Sequence, residues 1–135
     1  MNSEDIDYVD AAKIEGNKLF RSGLYSAAVD AYTRAIDRLD LHAMKSESSA
    51  HAYCNRAAAR LKLQGHADSA LADVDAALQH NPCYAKAHRR RAQALTSLGR
   101  LEEAIASLDL LLEISTIREG HEAPITPEEV KLIYS

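Results

Sequence analysis

Small apolar residues return along this chain at fixed intervals, with polar residues between them. In GLYSAAVDAYTRAI (23–36), GHADSALADVDAAL (65–78) and GRLEEAIASLDLLL (99–112), a glycine opens the segment and alanine follows five residues later. An apolar residue comes four positions after that alanine and another comes seven after it. The three sets are Ala28, Tyr32 and Ala35; Ala70, Val74 and Ala77; and Ala104, Leu108 and Leu111. Spacings of i, i+4 and i+7 put each set on one face of an α-helix. The patterning predicts an all-α chain with helices at 5–22, 25–43, 47–63, 67–80, 84–98 and 101–114. A seventh starts near TPEEVKLI, with Thr126 as N-cap, Pro127 at the first helical position and Glu129 as capping-box partner.

The segments are copies of one unit. Ala70 and Ala104 are 34 residues apart, whereas Ala28 and Ala70 are 42 apart. Ten residues separate Asn55 from Gly65 and nine separate Arg90 from Gly99, so one of the eight extra residues falls around LQGH. The other seven fall in LDLHAMKSESSA (39–50). They form either about two further turns of helix or a loop.

Composition narrows the packing. Hydrophobic residues make up 47% of the 135, yet only 5% are aromatic and there is no Trp. Alanine carries much of the apolar load, which suits closely spaced helices better than a bulky sheet core. Length allows one domain with a modest core. Pro and Gly are scarce and cluster at turns, which argues against extensive disorder. The net charge of −4 argues against a general nucleic-acid binder. Cys54 and Cys83 lie in helical patterns and read as reduced thiols of a cytoplasmic protein. MNSEDIDYVD lacks the apolar stretch of a secretory signal, and no apolar run reaches the ~20 residues of a membrane span.

A 34-residue period with this Gly/Ala pattern resembles the tetratricopeptide repeat family. The resemblance implies a right-handed superhelical solenoid of three helix-turn-helix repeats. Repeat one is about 5–43, repeat two about 47–82 and repeat three about 84–116, followed by a C-terminal capping helix from about 126. Each repeat pairs a helix A with a helix B that cross at small residues. Gly16 and Ala92 fall at the small position of helix A, seven residues before Gly23 and Gly99. With Ala28, Ala35, Ala70, Ala77 and Ala104 they are the expected packing residues. Pro82 stands at the family's proline position, which Asp40 and Thr116 occupy in the other repeats. The capping helix would give the solenoid a polar end, the link 115–125 reads as a polar mobile connector, and the chain reads as a domain of something longer.

The polar residues of the A helices carry the functional expectation. Lys13 and Asn17 are spaced i, i+4, and so are Lys86 and Arg90, so each pair shares one helix face. With Asn55 they resemble the dicarboxylate clamp of co-chaperone tetratricopeptide domains, in which Lys and Asn, then Asn, then Lys and Arg grip a peptide end. The words EGNKLF, NRAAA and KAHRRRAQAL are also similar to that family's. The resemblance implies a binding module for the C-terminal Glu-Glu-Val-Asp of heat-shock protein 70 or heat-shock protein 90. A terminal Asp offers a main-chain and a side-chain carboxylate. One cation and two carboxamides can hold the first, Lys86 can pair with the second, and Arg90 can reach upstream. Phe20, Tyr53 and Arg89 are candidates for pockets that receive upstream residues, with Leu19 and Ala57 beside them.

Other signals point away from chemistry. HRRR (88–91) splays its arginines about 100° apart per residue, which prevents one flat nucleic-acid stripe. Arg56 reads as a packing or salt-bridge residue. His80 and Cys83 form a lone i, i+3 pair, so no metal or other cofactor is expected. No nucleophile elbow, phosphate loop or carboxylate pair appears, so these residues form a binder and not an enzyme. PEEV (127–130) is internal and lacks the terminal carboxylate of the ligand motif. The alternative is a scaffold of the same fold that binds another partner or itself through its outer faces, or the regulatory arm of a larger enzyme.

Overall fold

The computed structural model describes residues 1–42 and 47–119, with side chains as far as residue 115. Among the described residues there are six α-helices and no strand. They are α1 (Ser3–Arg21), α2 (Tyr25–Leu41), α3 (Glu47–Leu61), α4 (Ala67–His80), α5 (Ala85–Ser97) and α6 (Leu101–Glu119). Each helix packs on the next, and α3 also touches α5. The result is an all-α solenoid of helix pairs. The expected seventh helix, the PEEV motif and most of the expected link lie outside the described residues.

Within each pair the turn is made by a glycine. Gly23, Gly65 and Gly99 have φ of 78°, 81° and 76°, the left-handed region that a side chain disfavours. The backbone closes the first and third turns in the same way. Leu24 N–H donates to Leu19 O at 2.9 Å, and Arg100 N–H to Leu95 O at 2.8 Å. The left-handed conformation shared by all three turns explains why the glycine recurs in sequence before each second helix.

The helix ends show what the period alone missed. α1 begins two residues earlier than expected because Asn2 caps it. Asp5 N–H donates to Asn2 Oδ1 at 2.9 Å, and Asn2 N–H to Asp5 Oδ2 at 3.4 Å. α6 runs to Glu119, past the expected end at 114, so the first residues read as link are helical. STIRE contains no Gly or Pro, and Gly120 is the first breaker after it. α2 ends 13 residues after Ala28, while α4 ends 10 after Ala70, so part of the inter-repeat insertion lengthens helix. Residues 43–46 of the insertion are outside the described set.

The core is built from small residues. Ala28, Ala35, Ala70 and Ala77 are fully buried, and Gly16, Ala92 and Ala104 are buried with them. Larger side chains fill the gaps between pairs. Tyr32 packs with Ala28, Ala59, Leu19 and Phe20. Val74 packs with Ala57, Ala77 and Ala87. The third repeat departs here. Leu108, the counterpart of Tyr32 and Val74, is 44% exposed, and α6 buries Ala104, Ser107, Leu110 and Ile114 instead. Val74 is covered by α5 through Ala87, whereas Leu108 meets no following helix among the described residues.

One buried carboxylate ties α4 to α3 within the second repeat. Asp73 on α4 is 3% exposed. Arg56 donates to it from Nε at 3.0 Å and Nη2 at 2.7 Å, and Arg60 from Nη1 at 2.7 Å. Arg56 also donates to Thr33 of α2 at 3.2 Å. The salt-bridge reading of Arg56 therefore holds. Arg91 pairs with Asp75 and donates to Ser107 of α6.

Candidate functional site

The first helices of the three pairs present their polar residues to a continuous groove. One pocket of about 560 Å³ is lined by Lys13 and Asn17 of α1, by Glu47, His51 and Asn55 of α3, and by Asn81, Tyr84 and Lys86. A second, of about 160 Å³, shares Asn17 and Asn55 with the first and adds Phe20, Tyr32 and Arg90. A third continues past Phe20 and Arg90 to Gln93 and Ser97. Lys13, Asn17, Asn55 and Lys86 thus line the first pocket, and Arg90, one turn after Lys86, lines the second and third.

Local contacts prepare these side chains. Tyr32 hydroxyl donates to Asn17 Oδ1 at 2.6 Å, which leaves the carboxamide N–H donors for the groove. Lys13 Nζ donates to Ser48 on α3 at 3.2 Å. Burial holds the Lys13 ammonium below its ordinary value, and Asp10 pulls the other way. A half-desolvated cation of this kind gains from an incoming carboxylate. Arg90 Nη1 donates to Gln93 Oε1 at 3.0 Å from a half-buried position. Lys86 stands exposed at the rim. The arrangement offers cations and amide donors on one side of an open groove, which suits a ligand with two carboxylates.

Of the residues proposed for upstream pockets, Phe20 lines the second and third pockets and packs edge-on against Tyr25, with ring centroids 5.2 Å apart. Tyr53 faces elsewhere. Its hydroxyl donates to Asp40 at 3.1 Å, and its ring stacks on His80 at 5.8 Å. It sits two residues before Asn55, about 200° around the helix, so it meets α2 and α4 rather than the groove. Arg89 is exposed and does not line these pockets.

Sequence reasoning missed His51, Glu47, Asn81 and Tyr84. The signal for His51 was present, since it precedes Asn55 by four residues. Tyr84 precedes α5 and is positioned only by tertiary packing. Its phenol is pushed up to about 12, first by burial and then by Cys54. The Cys54 thiol is itself pushed up by burial, which outweighs the opposing Arg90, Tyr84 and Lys86, so it is no activated nucleophile. Among the described residues no group of three or more His, Cys, Asp or Glu is placed to hold a metal ion. No helix there is long and apolar enough to cross a membrane.

The family model for the tetratricopeptide repeat matches residues 56–116. The chain is 38% identical over 105 residues to serine/threonine-protein phosphatase T of Aspergillus oryzae, covering 78% of this chain and 20% of that protein. It is 33% identical over 109 residues to human DnaJ homolog subfamily C member 7, covering 81% of this chain and 21% of that protein. The chain thus spans about a fifth of the length of these curated relatives. Among solved structures it is similar to the first TPR of Spaghetti (RPAP3) bound to the HSP90 peptide SRMEEVD. The TM-score is 0.70 at 32% identity, over 79% of this chain and 80% of that one. It is similar too to the second TPR domain of human RPAP3 in complex with the HSP70 peptide SGPTIEEVD. There the TM-score is 0.72 at 28% identity, over 97% and 98% of the two chains. With its glycine turns, small-residue core and paired helices, the chain belongs to the tetratricopeptide repeat family.

Proposed function

We propose that this chain is a co-chaperone module that captures the acidic C-terminal Glu-Glu-Val-Asp tail of heat-shock protein 70 or heat-shock protein 90. Lys13, Asn17, Asn55, Lys86 and Arg90 form the dicarboxylate clamp. One observation carries the reading: cations and carboxamides from three separate helices line one groove. Solved relatives of the same fold that carry tail peptides ending in Glu-Glu-Val-Asp support it.

Lys13, Asn17 and Asn55 take the terminal carboxylate, and Lys86 takes the Asp side chain. Arg90 reaches the backbone or an acid upstream, beside Phe20. Charge-assisted bonds of this kind are about twice as strong as neutral ones. Asn17 donates without a charge that must be desolvated. An internal sequence has no terminal carboxylate, so the clamp reads an end. The 135 residues act as a binder in the cytoplasm.

Calorimetric titration with a peptide ending Met-Glu-Glu-Val-Asp tests this, beside the same peptide amidated at its C-terminus. Micromolar binding, about −8 kcal/mol, that amidation abolishes is expected. Binding indifferent to amidation would exclude a carboxylate clamp.

A further inference from the structure

The groove holds a histidine that the clamp leaves unused. His51 stands one turn before Asn55 on α3 and lines the pocket of Lys13, Asn17 and Lys86. Its ring meets that of Tyr84 with centroids 5.2 Å apart. Charge reaches it from every element around it: Lys13 from α1, Glu47 from its own helix at 3.9 Å, and Lys86 from α5. Burial, then Lys13, holds the imidazole below its ordinary value of 6.5; Lys86 adds to this and Glu47 opposes it. In the free groove His51 is therefore neutral at pH 7.

An acidic peptide reverses that balance. Carboxylates set against Lys13 and Lys86 offset the two charges that keep a proton off the ring, and they add negative charge beside it. We propose that His51 is a further binding residue for an acidic C-terminal peptide, taking up a proton as the carboxylates arrive and donating to a carboxylate of the last residue, beside Lys13 and Lys86. The inference rests on the clamp reading of the same groove. Its sign is fixed by linkage. A group that binds protons more tightly in the complex makes peptide affinity rise as pH falls, until the free ring is also protonated. The useful window is about pH 5.5 to 8, above the peptide's own carboxylates at ~4.

The test is titration of the free-acid Met-Glu-Glu-Val-Asp peptide across that window, in buffers of different ionisation enthalpy, on the wild-type chain and on His51→Gln. His51 is half-exposed, so Gln is sterically acceptable. Binding about 3- to 10-fold tighter at pH 6 than at pH 8, with net proton uptake, is expected of the wild type, since one pKa unit corresponds to tenfold. His51→Gln should bind with a nearly pH-independent Kd. The His51 imidazole resonance should titrate below 6.5 in the free chain and move up on adding peptide. Tail binding with a flat pH profile, an unchanged profile in His51→Gln, or an unmoved resonance overturns this inference alone. Absence of tail binding at every pH overturns the clamp reading with it.

Discussion

The ring of Tyr32 lies against Gly16 so closely that a Cβ at residue 16 would stand 2.5 Å from Cε1 and 2.7 Å from Cδ1. The same ring carries its hydroxyl to Asn17. One tyrosine thus seats helix α1 on α2 and aims a carboxamide into the groove. Gly16→Ala gains about 1 kcal/mol of helix propensity. It must also displace a buried ring, which costs about 1–3 kcal/mol. A net loss of stability is expected, and Gly16→Leu should prevent folding. Chemical denaturation of both variants checks this, and unchanged stability in Gly16→Leu would refute the packing role.

Tyr32→Phe separates the two functions of that ring. It keeps the packing and removes the bond to Asn17, at a cost of about 1 kcal/mol. Tail affinity should fall several-fold because the carboxamide loses its fixed orientation. Calorimetry beside a melting curve reads both effects.

Lys86→Ala and Arg90→Ala should each weaken tail binding at least tenfold, on the order of 1.4 kcal/mol. Neither side chain is in the core, so circular dichroism and melting temperature should stay near wild type. High salt should mimic the loss in part, because Lys86 is exposed and Arg90 partly so.

Asp73→Ala should act in the opposite way. It leaves Arg56 and Arg60 without the carboxylate they share, and breaking a buried pair costs about 3–5 kcal/mol. A fall in melting temperature on the order of 10 °C is expected. Tail affinity of the folded fraction should change little.

Mild acid should destabilise the fold. His88 is 1% exposed, and its Nε2–H donates to Pro82 O at 2.8 Å. Burial holds the imidazole below its ordinary 6.5, the Pro82 bond opposes, and Arg91 adds to the lowering. Above about 6.5 both folded and unfolded chains carry the neutral ring. As pH falls below that value the unfolded chain takes a proton that the native chain refuses, so stability drops. Melting temperature should decline between pH 7 and 5, and less steeply in His88→Phe.

The helix periods, the three glycine turns and the small residues at each crossing were legible in sequence because they are local or repeated constraints. A left-handed turn needs Gly wherever it falls, and an i, i+4 pair shares a face in any helix. The i, i+4 pairs Lys13–Asn17 and Lys86–Arg90 were likewise legible as shared helix faces, and the family resemblance implied that they act with Asn55. The tertiary structure alone decided the rest. It turned Tyr53 toward Asp40 and His80, buried Asp73 between two arginines, and set His51 and Tyr84 beside Lys13, Asn17 and Lys86. Those outcomes depend on which helix lies opposite, and spacing along a single helix holds no information about its neighbour.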